Sequence, residues 1–136
     1  MSYRLPTLAF AAISVLAMAP CAAAQDLSGA WTGGYFSSDQ SDANAFQMTL
    51  KSAGSAFTGT AVEMNSFGDA SKVLFLTSMV QGTVKPDGSV NFVKTYDGSG
   101  DVSHSVSYAG RISASGRRIQ GTYDAGGATG RFEMVR

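Results

Sequence analysis

The chain has 136 residues and ten basic against ten acidic side chains, and 15% of it is charged against a typical figure of about 25%. That balance gives no electrostatic reason to bind nucleic acid or an anionic membrane surface. A single cysteine excludes a disulfide framework, and 16 glycines among many Ser and Thr residues suit a turn-rich β protein.

The first residues read Met-Ser-Tyr-Arg, followed by a nearly unbroken apolar run over 8–19, then Pro20 and a string of alanines. Positive, apolar and small-residue regions in that order predict a secretory signal. The apolar run is well short of the roughly 20 residues that span a bilayer, so no transmembrane segment is expected in the mature chain. Cleavage after Ala22-Ala23-Ala24 divides the chain into a signal peptide, 1–24, and one domain, 25–136, destined for the periplasm or the medium. Cys21 raises the alternative of lipidation, against which stand Pro20 directly before it and Met18 three positions upstream. Cleavage removes Cys21, leaving no thiol nucleophile and no thiolate metal site.

Beyond the signal, period-two alternation recurs between clusters of Gly, Asp, Ser and Asn, and predicts eight strands. The first, 27–36, places Gly29, Trp31, Gly33 and Tyr35 on the face of Leu27. The second, 45–50, sets Phe46, Met48 and Leu50 against Gln47 and Thr49, which implies one wet face. The third, 56–64, carries Phe57, Gly59, Ala61 and Glu63 on one side. The fourth, 72–84, passes through the continuous apolar run Val73-Leu74-Phe75-Leu76, whose facing is ambiguous. Lys85-Pro86-Asp87-Gly88 predicts a tight turn into the fifth strand, 90–96, with Val90, Phe92, Lys94 and Tyr96 on one face. The sixth, 102–112, aligns His104, Val106, Tyr108, Gly110 and Ile112 opposite a row of serines. The seventh, 118–124, directs Ile119, Gly121 and Tyr123 inward, and the eighth, 130–136, directs Phe132, Met134 and, by parity, Arg136 inward. Short strands, hairpin connections and glycines at inward positions predict an all-β fold, a single antiparallel up-and-down barrel.

Leu27-Ser28-Gly29-Ala30-Trp31 resembles the opening of the calycin barrels, the lipocalin and avidin-like group. The resemblance implies that Trp31 plugs the closed end and that a basic residue near the C-terminus packs over it. Arg136 is the better candidate than Arg131 by parity. Phe57-Thr58-Gly59-Thr60 is similar to the third strand of avidin-like proteins. Avidin-like biotin sites use several tryptophans, and this chain has one. Secreted lipocalins usually carry a disulfide and a longer chain, and a Leu-Ser-Gly-x-Trp start also occurs in small bacterial metalloprotease inhibitors. No functional residue is carried over from any of these groups.

Lys94 and Glu63 form the most informative polar pattern. If both point inward they must pair or meet a polar ligand group, since an uncompensated buried charge costs several kcal/mol. Alternatively both lie near barrel ends and reach water along their stems. Tyr35, Tyr96, Tyr108 and Tyr123 suit either a filled core or a lined pocket. A lone histidine, His104, makes a zinc site improbable, and no catalytic pair, nucleophile turn or phosphate loop appears. Asp97-Gly98-Ser99-Gly100-Asp101 has alternating oxygen side chains, but Val102 and Tyr108 stand where a calcium loop needs Gly and Glu, so a turn is expected. The segments 37–42 and 65–70 belong at barrel ends, where they gate a mouth or contact a partner.

These residues favour a binding protein that holds a small, largely apolar ligand, with Glu63, Lys94, Tyr96, His104, Tyr108 and Tyr123 as candidate ligand residues and Trp31 with Arg136 as a structural plug. No enzyme activity, cofactor or metal is expected. The rival reading is an envelope interaction protein, or an inhibitor of a secreted hydrolase, acting through end loops around a barrel filled by Phe46, Phe57, Phe75, Phe92, Phe132 and the methionines.

Overall fold

A computed structural model describes residues 23–136, so the expected signal peptide as far as Ala22, Cys21 included, lies outside the described residues. The chain forms β1 (Gly29–Ser37), β2 (Ala43–Ala53), β3 (Ala56–Met64), β4 (Phe75–Val84), β5 (Ser89–Tyr96), β6 (Ser105–Ile112), β7 (Arg118–Asp124) and β8 (Thr129–Val135). Each strand pairs antiparallel with the next, and β1 pairs with β8 through the register Thr32 to Val135, which closes an up-and-down barrel. Closure leaves no strand edge unpaired. Among the described residues no helix is long and apolar enough to cross a membrane.

Alternation builds the core. Phe46, Met48 and Leu50 of β2, Phe57 and Ala61 of β3, and Val90, Phe92, Lys94 and Tyr96 of β5 are all buried, while the residues of opposite parity between them are exposed. Burial of each large apolar side chain contributes about 1.5–3 kcal/mol. Phe92 stacks on Tyr108 with ring centroids 4.5 Å apart, and both meet Phe132 edge to face. These rings fill the middle of the barrel.

One end is closed by Trp31. Its indole Nε1–H donates to the Leu27 carbonyl at 2.8 Å, and the Arg136 guanidinium lies 4.7 Å from the ring centroid. Arg136 also donates through Nε to the Gly116 carbonyl at 2.8 Å, although it lies beyond the end of β8 and remains exposed. Gly29 precedes Trp31 with φ of 124°, a conformation that side chains resist, which accounts for glycine at the start of β1.

Three sequence expectations need correction. β4 begins at Phe75, and Lys72 lies in the preceding loop, where its ammonium meets Asp101 at 2.7 Å. Phe75 faces outward opposite Met64 of β3, so it does not fill the barrel, and Leu74 is 73% exposed. An apolar run has no alternation to set its phase, and here register places Leu76 inward instead. β6 begins at Ser105, because residues 98–101 coil into a 3-10 turn with positive φ at Gly98, Gly100 and Asp101. His104 therefore precedes the strand and is exposed at the rim, where no core lies opposite it.

Candidate functional site

The open end is framed by the segments 38–42, 65–74, 97–104 and 125–128. The first is a polar hairpin turn. Asp39 accepts hydrogen bonds from the Ser37 hydroxyl at 2.7 Å and from the Ser41 hydroxyl and amide at 2.7 and 3.0 Å, which lower its pKa to about 2. In the second, Asn65 donates to the Val73 carbonyl at 3.0 Å and accepts from the Gly68 amide at 2.8 Å. The Asp69 amide ties this segment to the Gly100 carbonyl at 2.7 Å. Phe67 is thereby held over the mouth, its ring 5.6 Å from that of Tyr96 and 6.1 Å from that of His104.

Below this rim lies a cavity of about 460 Å³, lined by Tyr35, Phe67, Tyr96, His104, Tyr108 and Tyr123, with Asp42, Asn44 and several small residues between them. Alternation explains the tyrosines: Tyr35 lies two residues before the end of β1, Tyr96 ends β5, and Tyr108 and Tyr123 are register partners on β6 and β7.

Lys94 and Glu63 lie beneath the cavity, with side chains 0% and 2% exposed, which excludes the arrangement in which they reach water from the barrel ends. Lys94 Nζ donates to Glu63 Oε1 at 2.6 Å. The Tyr96 hydroxyl donates to the same oxygen, and the Tyr35 hydroxyl donates to Oε2 at 2.7 Å. The Lys94 ammonium also lies 4.7 Å from the Tyr96 ring centroid and 5.0 Å from that of Tyr35, within cation–π range. Burial pushes the lysine pKa down, and the Glu63 carboxylate opposes that shift. Burial, followed by the neighbouring Glu63 charge, pushes the Tyr35, Tyr96 and Tyr108 hydroxyls well above the usual phenol range.

Tyr108 and Tyr123 differ from the other two tyrosines. Both are more than nine-tenths buried, both line the cavity, and their hydroxyls have no hydrogen-bond partner among the described residues. No buried polar side-chain atom is left unpaired among the described residues, so these two hydroxyls stay accessible at the cavity and are the free polar contacts for whatever enters.

The structure thus brings Glu63, Lys94, Tyr96, Tyr108, Tyr123 and the rim residue His104 to one end of the barrel, and leaves Trp31 and Arg136 at the other. Alternation singled out all of these except the two rim residues Phe67 and Asp42. Both belong to loops, where no period orients a side chain; the spacing of 65–70 and 37–42 between strands gave their location alone. The 97–101 segment closes as a turn, with the Asp101 carboxylate bound to Lys72.

No protein-family model and no curated protein matches the sequence. Among solved structures the chain is similar to a redesigned β-barrel, with a TM-score of 0.67 and 16% identity over 88% of this chain and 98% of that one. At that identity the likeness establishes the fold, a closed eight-stranded antiparallel barrel, and carries no ligand with it.

Proposed function

We propose that this is an exported, non-catalytic binding protein of the calycin-like kind, which holds a small and largely apolar ligand in the mouth of its barrel. The observation that carries the reading is the aromatic cavity of about 460 Å³ above a fully paired polar floor. Concave sites of that size, apolar in their walls with a few convergent polar groups, are where small ligands bind. The aromatic walls supply contact area, and the free hydroxyls of Tyr108 and Tyr123 fix orientation. The signal sequence supports action in the periplasm or outside the cell. Native mass spectrometry tests this by comparing protein purified from its own cell envelope with protein refolded from denaturant. A mass excess confined to the native sample is expected. Equal masses, with no small molecule raising the melting temperature, would refute the reading.

The outer wall favours a second reading, an envelope interaction protein or hydrolase inhibitor. Met64, Leu74, Phe75 and Met79 are more than half exposed on and beside neighbouring strands β3 and β4. Contiguous apolar exposure of this kind is a feature of contact surfaces. Pull-down of a protein partner, lost in a Leu74→Ser and Phe75→Ser double variant that keeps its melting temperature, would support it.

A further inference from the structure

We infer that the mouth selects organic cations, meaning small protonated amines with an apolar or aromatic body. This deepens the reading of the mouth as a binding site and depends on it.

Charge is segregated along the barrel axis. Asp39, Asp42, Asp69, Asp97, Asp101 and Asp124 all fall in the mouth segments or at the strand ends that border them. Of the cations on this half, Lys72 is held by Asp101 at 2.7 Å, and the Arg131 guanidinium lies against Phe36, 5.5 Å from its ring. The closed half carries Lys51, Lys85, Arg111, Arg117, Arg118 and Arg136 against Asp26, Asp87 and Glu133. Such an arrangement draws cations toward the mouth and repels carboxylates, an effect that a near-zero total charge conceals.

The cavity itself agrees. Asp42 contributes a carboxylate to its lining, and among the described residues no lysine or arginine lines it. Beneath it the Lys94 charge is matched by Glu63 at 2.6 Å, so the floor presents no net positive charge. The lining carries the aromatic side chains of Tyr35, Phe67, Tyr96, Tyr108 and Tyr123, and aromatic rings attract ammonium groups through the negative potential of their faces. Tyr35 and Tyr96 already hold one, since Lys94 Nζ lies 5.0 and 4.7 Å from their centroids. Independently of the aspartates, Tyr108 and Tyr123 are more than nine-tenths buried and line the cavity, and their hydroxyls, accessible and without a partner among the described residues, can each accept an N–H from a bound amine. A fatty acid or aryl carboxylate would meet Asp42 with no counter-charge. A neutral guest would satisfy the hydroxyls but gain nothing from the aspartates.

The test is calorimetric titration of the purified protein with three probes of one shape and different charge: tryptamine, tryptophol and indole-3-acetate. Tryptamine should bind about tenfold more tightly than tryptophol, with indole-3-acetate weakest. Asp42→Asn, checked for an unchanged melting temperature, and added salt should each narrow the gap. Equal or tighter binding of tryptophol or indole-3-acetate would overturn cation selectivity while upholding a binding mouth. Absence of heat with all three probes would also overturn it, and the mass-spectrometric comparison would then decide separately whether the mouth binds anything.

Discussion

Lys94 and Glu63, 31 residues apart in sequence, form a contact of 2.6 Å between Nζ and Oε1 in the interior of the barrel. Their strands are not neighbours, since β4 lies between β3 and β5, so the pair bridges two strands across the inner face of a third. Removing one partner strands the other charge. Lys94→Met should cost about 3–5 kcal/mol in urea unfolding, whereas the double variant Lys94→Met, Glu63→Gln should recover much of that loss. Additive losses would show that the charges do not act as a pair.

Alkaline conditions should unfold the protein through its tyrosines. Burial raises the folded-state pKa values of Tyr35, Tyr96 and Tyr108 above the ordinary phenol value of about 10, so the native state holds these protons longer than the unfolded state does. Their contribution to stability is complete below pH 10 and is lost progressively as pH rises beyond it. Lys94 acts in the opposite sense, because its lowered value means that the unfolded chain binds more protons below 10.5. Burial raises Tyr123 as well, so four raised groups stand against one lowered group. Tyrosinate absorbance should therefore appear together with loss of the circular-dichroism signal of the fold. Ionisation of most tyrosines near pH 10 with the fold intact would contradict this.

Gly110 and Gly121 face each other across β6 and β7. A Cβ on Gly121 would fall 2.5 Å from the Gly110 Cα, against backbone that cannot rotate away. Gly121→Ala should therefore destabilise by about 1–3 kcal/mol, measured by thermal unfolding. An unchanged melting temperature would mean that the two strands separate there without cost.

Arg136→Ala should lower stability by about 1 kcal/mol and alter the emission of Trp31, the one tryptophan in the chain. Arg136→Lys should restore only part of that stability, since the lysine retains charge but loses the Nε donor to Gly116. Full recovery by lysine would reduce the contact to charge alone.

Strand number, order and most facings were legible because β2, β5 and β7 alternate without a break, and a period of two gives each inward residue directly. Alternation also placed Lys94 and Glu63 on inward faces. Their pairing across the inner face of β4 was not legible, because it depends on barrel curvature and on the stagger between strands. Val73-Leu74-Phe75-Leu76 lacked a phase for the opposite reason: the outer wall there is apolar too, so both faces read alike. His104 has the parity of Val106, yet the 3-10 turn before it brings it to the rim, and parity carries no meaning where the wall has ended. The cavity depends on Phe67, which follows no repeat at all.

The seam between β1 and β8 has a consequence for how the molecule comes into being. Seven hairpin pairings form between consecutive strands, each of which can zip as soon as its second strand exists, but Thr32 must wait for Val135. During synthesis β1 thus carries a bare flank until the final strand arrives. A chain that stalls late would display that flank as an open ribbon, sticky toward other strands, and chaperone attention should concentrate on it.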